Sequence, residues 1–428
     1  MPFFRKAPPM SGSPVWHPFT QHGLNEPIPQ IVAASGAHLS CADGTTLLDA
    51  ISSWWVITHG HCEPRIAAAI GQQAGRLDQL IFAGYTHEPA ETLARSLVEL
   101  APPGLAHVFF TDSGSTAVEV AIKMALGHWH NRGEARHRII VMEHSYHGDT
   151  IGAMSVGARG AFNRPYEPLL FDVESVPFPA AGQEQLTLDA LAALCTASPK
   201  PAAFIVEPLV LGAGGMRFYS AGTLRQMAEI CALHDVLFIA DEVMTGWGRT
   251  GTLFACEQAG IAPDLMCLGK GLTGGAVPLA VTLASAAIFA SHSSDSRADM
   301  FFHSSSFTAN SIACAAANAN IAIWQGEDVP GRVAALGRAL DGGLASLAGH
   351  PRLVNARRIG GIAAIDLDVA DAGYLSDAAV PLRAHFLARG LLLRPLGNTI
   401  YAMPPYCTDG ADVARIIAAI GEAADAMV

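Results

Sequence analysis

Lysine is almost missing from this chain. Among 428 residues only Lys6, Lys123, Lys200 and Lys270 occur. Charge of either sign is sparse, at 15% of residues, and it leans negative, with a formal net charge of −12. Such a balance speaks against nucleic acid as a partner. Long apolar runs are lacking too: no stretch approaches the roughly eighteen residues of a membrane span. The opening "MPFFRKAPPM" has no continuous apolar core of a signal peptide. The eight cysteines are scattered with no C-x-x-C pair, so neither a disulfide framework nor a metal site is expected, and a reducing cytoplasm is the expected setting. Internal repeats are absent as well.

What the chain has is apolar material: half of its residues are hydrophobic, enough for a large core. The middle alternates short apolar runs with helical patterns. "HVFF", "RIIVM", "AAFIVEP", "VLFIADE" and "DLMCLG" read as strands buried on both faces. "STAVEVAIKMALGHW" and "AGTLRQMAEICALHD" read as the helices between them. This alternation predicts an α/β fold with a mostly parallel central sheet. From about residue 325 the pattern changes to alanine-rich helices and short strands such as "GIAAIDLD". The expected division is an N-terminal segment over 1–50, a large domain over 51–324, and a smaller α+β domain over 325–428 that the N-terminal segment joins.

Ligands of open parallel sheets collect beyond the carboxyl ends of the strands. Four such ends carry chemistry here. "VLFIA" ends in Asp241-Glu242, "DLMCL" in Gly269-Lys270, "HVFF" in "TDSGST", and "RIIVM" in "EHSYHGDT". The turn Ser113-Gly114-Ser115 opens an amphipathic helix, where free N–H groups and the helix dipole suit a phosphate; taken alone it is equally a helix cap. It is neither a P-loop nor a dinucleotide fingerprint, since G-K-[ST] and G-x-G-x-x-G are both missing. Asp241 alone is ambiguous in the same way. Lys270 is harder to read as surface, because "MCLGKGLTGG" gives it no polar company. A desolvated lysine can act as a nucleophilic amine. A lysine, a carboxylate, a phosphate cup and an aromatic ring together meet the needs of pyridoxal phosphate.

"IADEVMTGWGRTG" followed by "PDLMCLGKGLTGG" resembles the class III, fold-type-I pyridoxal-phosphate aminotransferases, in which an acidic pair after a strand precedes the Schiff-base lysine by about thirty residues. "WHPFTQ", "SSWWVITHGH", "YHGDTIGAMSVG" and "LLLRPLGNTIYAMPPY" resemble more narrowly the branch that aminates 8-amino-7-oxononanoate in biotin biosynthesis, with S-adenosylmethionine as the usual amino donor and lysine as a minority one. The likeness runs from about residue 16 to residue 406.

That resemblance implies roles for particular residues. Lys270 carries the cofactor and moves the proton, and Asp241 pairs with the pyridine nitrogen. Ser113, Gly114 and Ser115 bind phosphate, and Tyr146 lies by the cofactor ring and the substrate, with His147 and Asp149 near it. Phe19, Trp54, Trp55 and Asp149 line the substrate pocket, and Arg394 holds the carboxylate of the oxo acid. The loop "HSSSFTAN" reaches the partner subunit's site in a homodimer, Ser305 and Ser306 toward phosphate and Ser304 toward substrate.

Two positions depart from the family's usual pattern. Ser304 stands where glycine is common, and Phe19 stands where tyrosine is common, which leaves the donor open. Glu207 has no assignable partner, Lys123 reads as a solvated or paired side chain, and His59 and His61 read as structural. Three rivals remain at this level: a broader ω-aminotransferase acting on diamines or amino acids, an aminomutase or decarboxylase on the same fold, and a non-catalytic binding member.

Overall fold

A computed structural model describes residues 13–160 and 162–427; the first twelve residues of the 1–50 segment lie outside the described residues. At the centre is a seven-stranded sheet. Its order is Leu105–Thr111, Ala280–Ser285, Leu265–Leu268, Leu237–Asp241, Ala203–Val206, Ile139–Met142 and Glu174–Val176. Every residue of the four strands from Leu265–Leu268 to Ile139–Met142 is buried. Strands covered on both faces read as continuous apolar runs, which is why these four were visible in the sequence. Each large aliphatic side chain so buried contributes about 1.5–3 kcal/mol.

Two strands were not expected. Glu174–Val176 adds a parallel edge beside Ile139–Met142, and Ala280–Ser285 runs antiparallel between Leu265–Leu268 and Leu105–Thr111. The sheet is therefore mostly parallel, with one strand reversed. The helix Gly114–Asn131 packs on one face through Ala117, Val120, Ala121 and Ala125, and Trp129 on it donates from Nε1 to the Ala202 carbonyl at 2.9 Å. A second, larger apolar cluster fills the other face and continues into the C-terminal region.

Two further sheets stand beside this layer. Ile31–Ser35, His38–Cys41 and Thr46–Asp49 form an antiparallel meander, and Leu391–Leu392 pairs in parallel with Thr46–Asp49. The two ends of the chain thus share one sheet. Leu353–Ile359, Ile362–Leu367 and Thr399–Ala402 make a three-stranded antiparallel sheet, with the helices Val329–Ser346 and Gly410–Ala426 close by. The expected boundary after residue 324 falls in the last turn of the helix Ser311–Gly326. That helix packs on Pro64–Ala74 and Glu88–Leu100 and reaches the short helical turn Lys270–Thr273. Among the described residues no helix is long and apolar enough to cross a membrane.

Candidate active site

The parallel strands point their carboxyl ends to one edge, and a cavity of about 140 Å³ opens there. Gly114, Ser115, Tyr146, His147, Glu207, Asp241 and Lys270 line it, with Trp55 as an aromatic wall. Residues as far apart in the chain as Gly114 and Lys270 meet because each sits just beyond a strand of the same sheet.

Lys270 begins the helical turn Lys270–Thr273 at φ +45°, a left-handed conformation that non-glycine residues seldom adopt. Its Nζ lies 4.6 Å from the centroid of the Trp55 ring. Burial lowers its pKa to about 8; Asp241 and Glu207 pull it back up and Arg249 pushes it further down. Part of the side chain still faces the cavity, so the amine is desolvated yet reachable from within.

Asp241 is buried, and its Oδ2 lies 2.7 Å from His147 Nδ1, while its Oδ1 accepts from the Val243 N–H at 3.1 Å. Its neighbour Glu242 turns the other way: its carboxylate accepts from the N–H groups of Ala255 and Cys256 and from the Thr245 hydroxyl. The acidic pair therefore divides into one carboxylate for the cavity and one for the fold. Glu207 now has partners. It accepts from the backbone N–H of Tyr146 at 3.0 Å and of Gly212 at 2.9 Å, and burial raises its pKa to about 7. Tyr146 donates to Asp149 Oδ1 at 2.9 Å, and burial together with Asp149 holds its phenol well above the ordinary range.

Ser113 caps the helix Gly114–Asn131 through a reciprocal pair of bonds with Thr116. Its hydroxyl is taken by the cap, and Ser113 does not line the cavity, unlike Gly114 and Ser115. The N–H groups of those two residues lie in the first turn and have no acceptor inside the helix. At Gly114 a Cβ would stand 2.5 Å from Val243 Cγ1, so the turn can approach Asp241's strand only as glycine. Across the cavity, His147 Nε2 is buried with no partner. Free amides at a helix N-terminus, a buried carboxylate backed by histidine, and a lysine amine fit the phosphate, ring nitrogen and aldehyde carbon of pyridoxal phosphate.

The "SSWW" turn is strained and heavily braced. Ser52, Ser53 and Trp55 have φ of +54°, +60° and +65°. Asp49 accepts from the N–H of Ile51 and Ser53 and sits 2.8 Å from His61 Nε2. Arg249, buried, donates to Ser52 Oγ and to the carbonyls of Trp55 and Ile57. The turn sends its tryptophans in different directions: Trp55 is buried and donates to Tyr401 Oη at 2.9 Å, whereas Trp54 is 45% exposed. Arg394 lies 5.8 Å over Trp54, donates to the Phe19 carbonyl at 2.6 Å and pairs with no carboxylate among the described residues. Phe19, at φ +48°, stands 5.5 Å from Trp54 and 6.1 Å from Phe162, and Phe162 contacts both Tyr146 and Tyr374. A second cavity of about 750 Å³ shares Tyr146 and Gly148 with the first and is bordered by Asp149, Phe162 and Tyr374. Phe162 and Tyr374 carried no signal in the sequence. Tyr401 lies inside a quoted motif but was not singled out.

Ser304, Ser305 and Ser306 are exposed and line neither cavity of their own chain. Their loop is held by Lys123, which donates to the Phe302 carbonyl at 2.9 Å, and by Gln79, which donates to the Ser306 carbonyl at 2.9 Å.

Residues 20–424 match the model of the class-III aminotransferase family. The chain belongs to that family. It is 48% identical over 96% of its length to the adenosylmethionine-8-amino-7-oxononanoate aminotransferase of Synechococcus elongatus, covering 98% of that protein. The protein of the same name from Mycobacterium leprae is 41% identical, with 96% and 94% covered. Among solved structures, that from Methanocaldococcus jannaschii superposes with a TM-score of 0.92 at 32% identity over 96% of each chain. A PLP-bound amine transaminase from an uncultivated Pseudomonas species gives 0.90 at 29% identity, covering 97% and 99%.

Proposed function

We propose that this chain transfers the amino group of S-adenosylmethionine to 8-amino-7-oxononanoate, giving 7,8-diaminononanoate for biotin biosynthesis, with pyridoxal 5′-phosphate as cofactor and in a homodimer. The observation that carries the reading is one cavity holding Lys270, the Asp241–His147 pair and the open helix N-terminus at Gly114 and Ser115. Near-full-length similarity to proteins named for this reaction supports the choice of substrates.

The residues divide the work. Gly114 and Ser115 would take the phosphate on their backbone N–H groups. Asp241 would hold a proton on the ring nitrogen, and His147, 2.7 Å away, orients that carboxylate. When bound, the cofactor supplies an aldehyde that captures an amine and a ring that accepts its electrons. With a pKa near 8, Lys270 is in part a neutral amine at working pH, so it can take a proton from the donor carbon and return one to the acceptor. Trp55 walls off water beneath that amine. Arg394, paired with no carboxylate among the described residues, offers a planar fork to the carboxylate of the oxo acid beside Trp54 and Phe19.

For the dimer, Ile81, Tyr85, Phe302 and Phe307 are exposed on the two segments tied together at Gln79 and Asn310. An apolar patch there, next to Ser304–Ser306, suits a second copy that receives those hydroxyls. The test is a donor screen with 8-amino-7-oxononanoate as acceptor, following 7,8-diaminononanoate by mass spectrometry. Turnover with S-adenosylmethionine is expected. Turnover with lysine alone would overturn the donor, and no amination of this acceptor by any donor would overturn the substrate reading.

A further inference from the structure

Asn320 lies at the middle of the helix Ser311–Gly326 and is fully buried. Its amide Nδ2 donates to the carbonyls of Gly271 at 3.1 Å and Leu272 at 3.0 Å, the two residues that follow Lys270. Its Oδ1 lies 2.9 Å from His59 Nε2. Both donors and the acceptor of this amide are therefore used, which fixes which way it points. Burial lowers the His59 pKa to about 4, so the ring is neutral. His59 Nδ1 is buried without a partner, so the proton is on Nε2 and is donated to Asn320.

The carbonyls so held belong to a turn that needs holding. Lys270 is in the left-handed region, and Gly271 is pressed so closely that a Cβ would come within 2.8 Å of Trp247 Cβ and 3.0 Å of Thr58 Cγ2. His59 belongs to the segment that follows the "SSWW" turn, and its ring packs on Trp324, one helical turn beyond Asn320. One side chain thus ties the lysine turn to the segment that carries Trp54 and Trp55.

We propose that Asn320, oriented by His59, is the positioning residue that aims the Lys270 amine. The inference rests on the reading of Lys270 as the amine that carries the cofactor and moves the proton. In Asn320→Ala the Gly271 and Leu272 carbonyls lose their donors, the turn relaxes out of its strained form, and the amine moves off its line.

The test uses the full chain in two forms. In apoprotein, the pH dependence of Lys270 acylation is read by mass spectrometry; the wild-type midpoint is expected near 8, and Asn320→Ala should move it toward the ordinary lysine value of about 10.4. In holoenzyme, kcat should fall about 10²-fold, as for a misplacement of roughly 1 Å, while both KM values stay within about threefold. Should Asn320→Ala fail to fold, His59→Phe, which leaves the Asn320 amide oxygen without its donor and frees the amide to turn from the carbonyls, should shift midpoint and kcat in the same direction, and His59→Gln, which keeps a donor, should restore both. Lowered thermal stability with an unmoved midpoint and kcat would overturn the proposal, as would parallel loss of kcat and cofactor affinity. Either result leaves the role of Lys270 standing, because that role is tested separately by Lys270→Ala.

Discussion

In the proposed reaction Lys270 is asked to be a nucleophile and a base near neutral pH, and a solvated lysine is neither. Burial supplies the change by destabilising the ammonium. Because the folded pKa is depressed to about 8, the amine is protonated below that pH and free above it. Rebinding of pyridoxal phosphate to apoprotein, followed by absorbance, should therefore speed up as pH rises through about 8. Lys270→Ala should fold and lose transamination by at least about 10²–10⁴-fold, the usual worth of a positioned general base; near-wild-type turnover would end the assignment. Asp241→Asn keeps the shape but not the charge, and turnover should fall deeply with phosphate contacts retained. Activity within a few-fold of the parent would mean that another group meets the ring nitrogen. Arg394→Ala removes a charge-assisted bond of about 1.5–3 kcal/mol. The oxo-acid half-reaction should suffer, and the donor half-reaction much less, when each is followed alone. Phe19 lacks the hydroxyl common at its position, and its ring packs on Trp54 and Phe162 instead. Phe19→Tyr should leave the initial rate with S-adenosylmethionine equal or modestly higher at saturating oxo acid.

At the scale of the element, the turn Ser52–Trp55 shows how a wall of the cavity is held in an unfavourable shape. Positive φ at non-glycine residues costs of order 1–3 kcal/mol each, and here three such residues fall within four positions. Asp49 offsets that cost by accepting from two backbone N–H groups and by its contact with His61. Asp49→Ala should lower unfolding free energy by about 1–3 kcal/mol, the penalty for orphaned buried polar groups, and should raise KM for both substrates as the tryptophans lose their support. Denaturant titration and steady-state kinetics check the two halves. An unchanged KM would show that Arg249 alone holds the turn.

For the whole molecule, the proposed dimer makes a prediction about its surface. Phe302 is 62% exposed on the loop that carries Ser304–Ser306. Phe302→Asp puts a charge where an apolar contact with a second copy is expected. Light scattering should show the parent at twice the chain mass and the variant shifted to monomer, with weaker cofactor retention because Ser305 and Ser306 no longer reach a neighbour's phosphate. A monomeric parent with full activity would remove the partner loop from the mechanism.

The sequence by itself determined the parallel core and which residues stand at its edge. Strands buried on both faces announce themselves as short apolar runs, and the residues just past them, Asp241 and Lys270, follow at fixed distances along the chain. The reversal of the strand Ala280–Ser285 had no such signature, because a buried strand reads the same in either direction. The braces of the site were equally silent. Asn320 meets His59 across 261 positions, Arg249 meets Ser52 across 197, and Arg394 meets Phe19 across 375. A side chain's hydrogen bond leaves no periodic trace in the sequence. Which Asn or Arg is a clamp was decided only when packing withdrew water from it and left particular carbonyls as its partners.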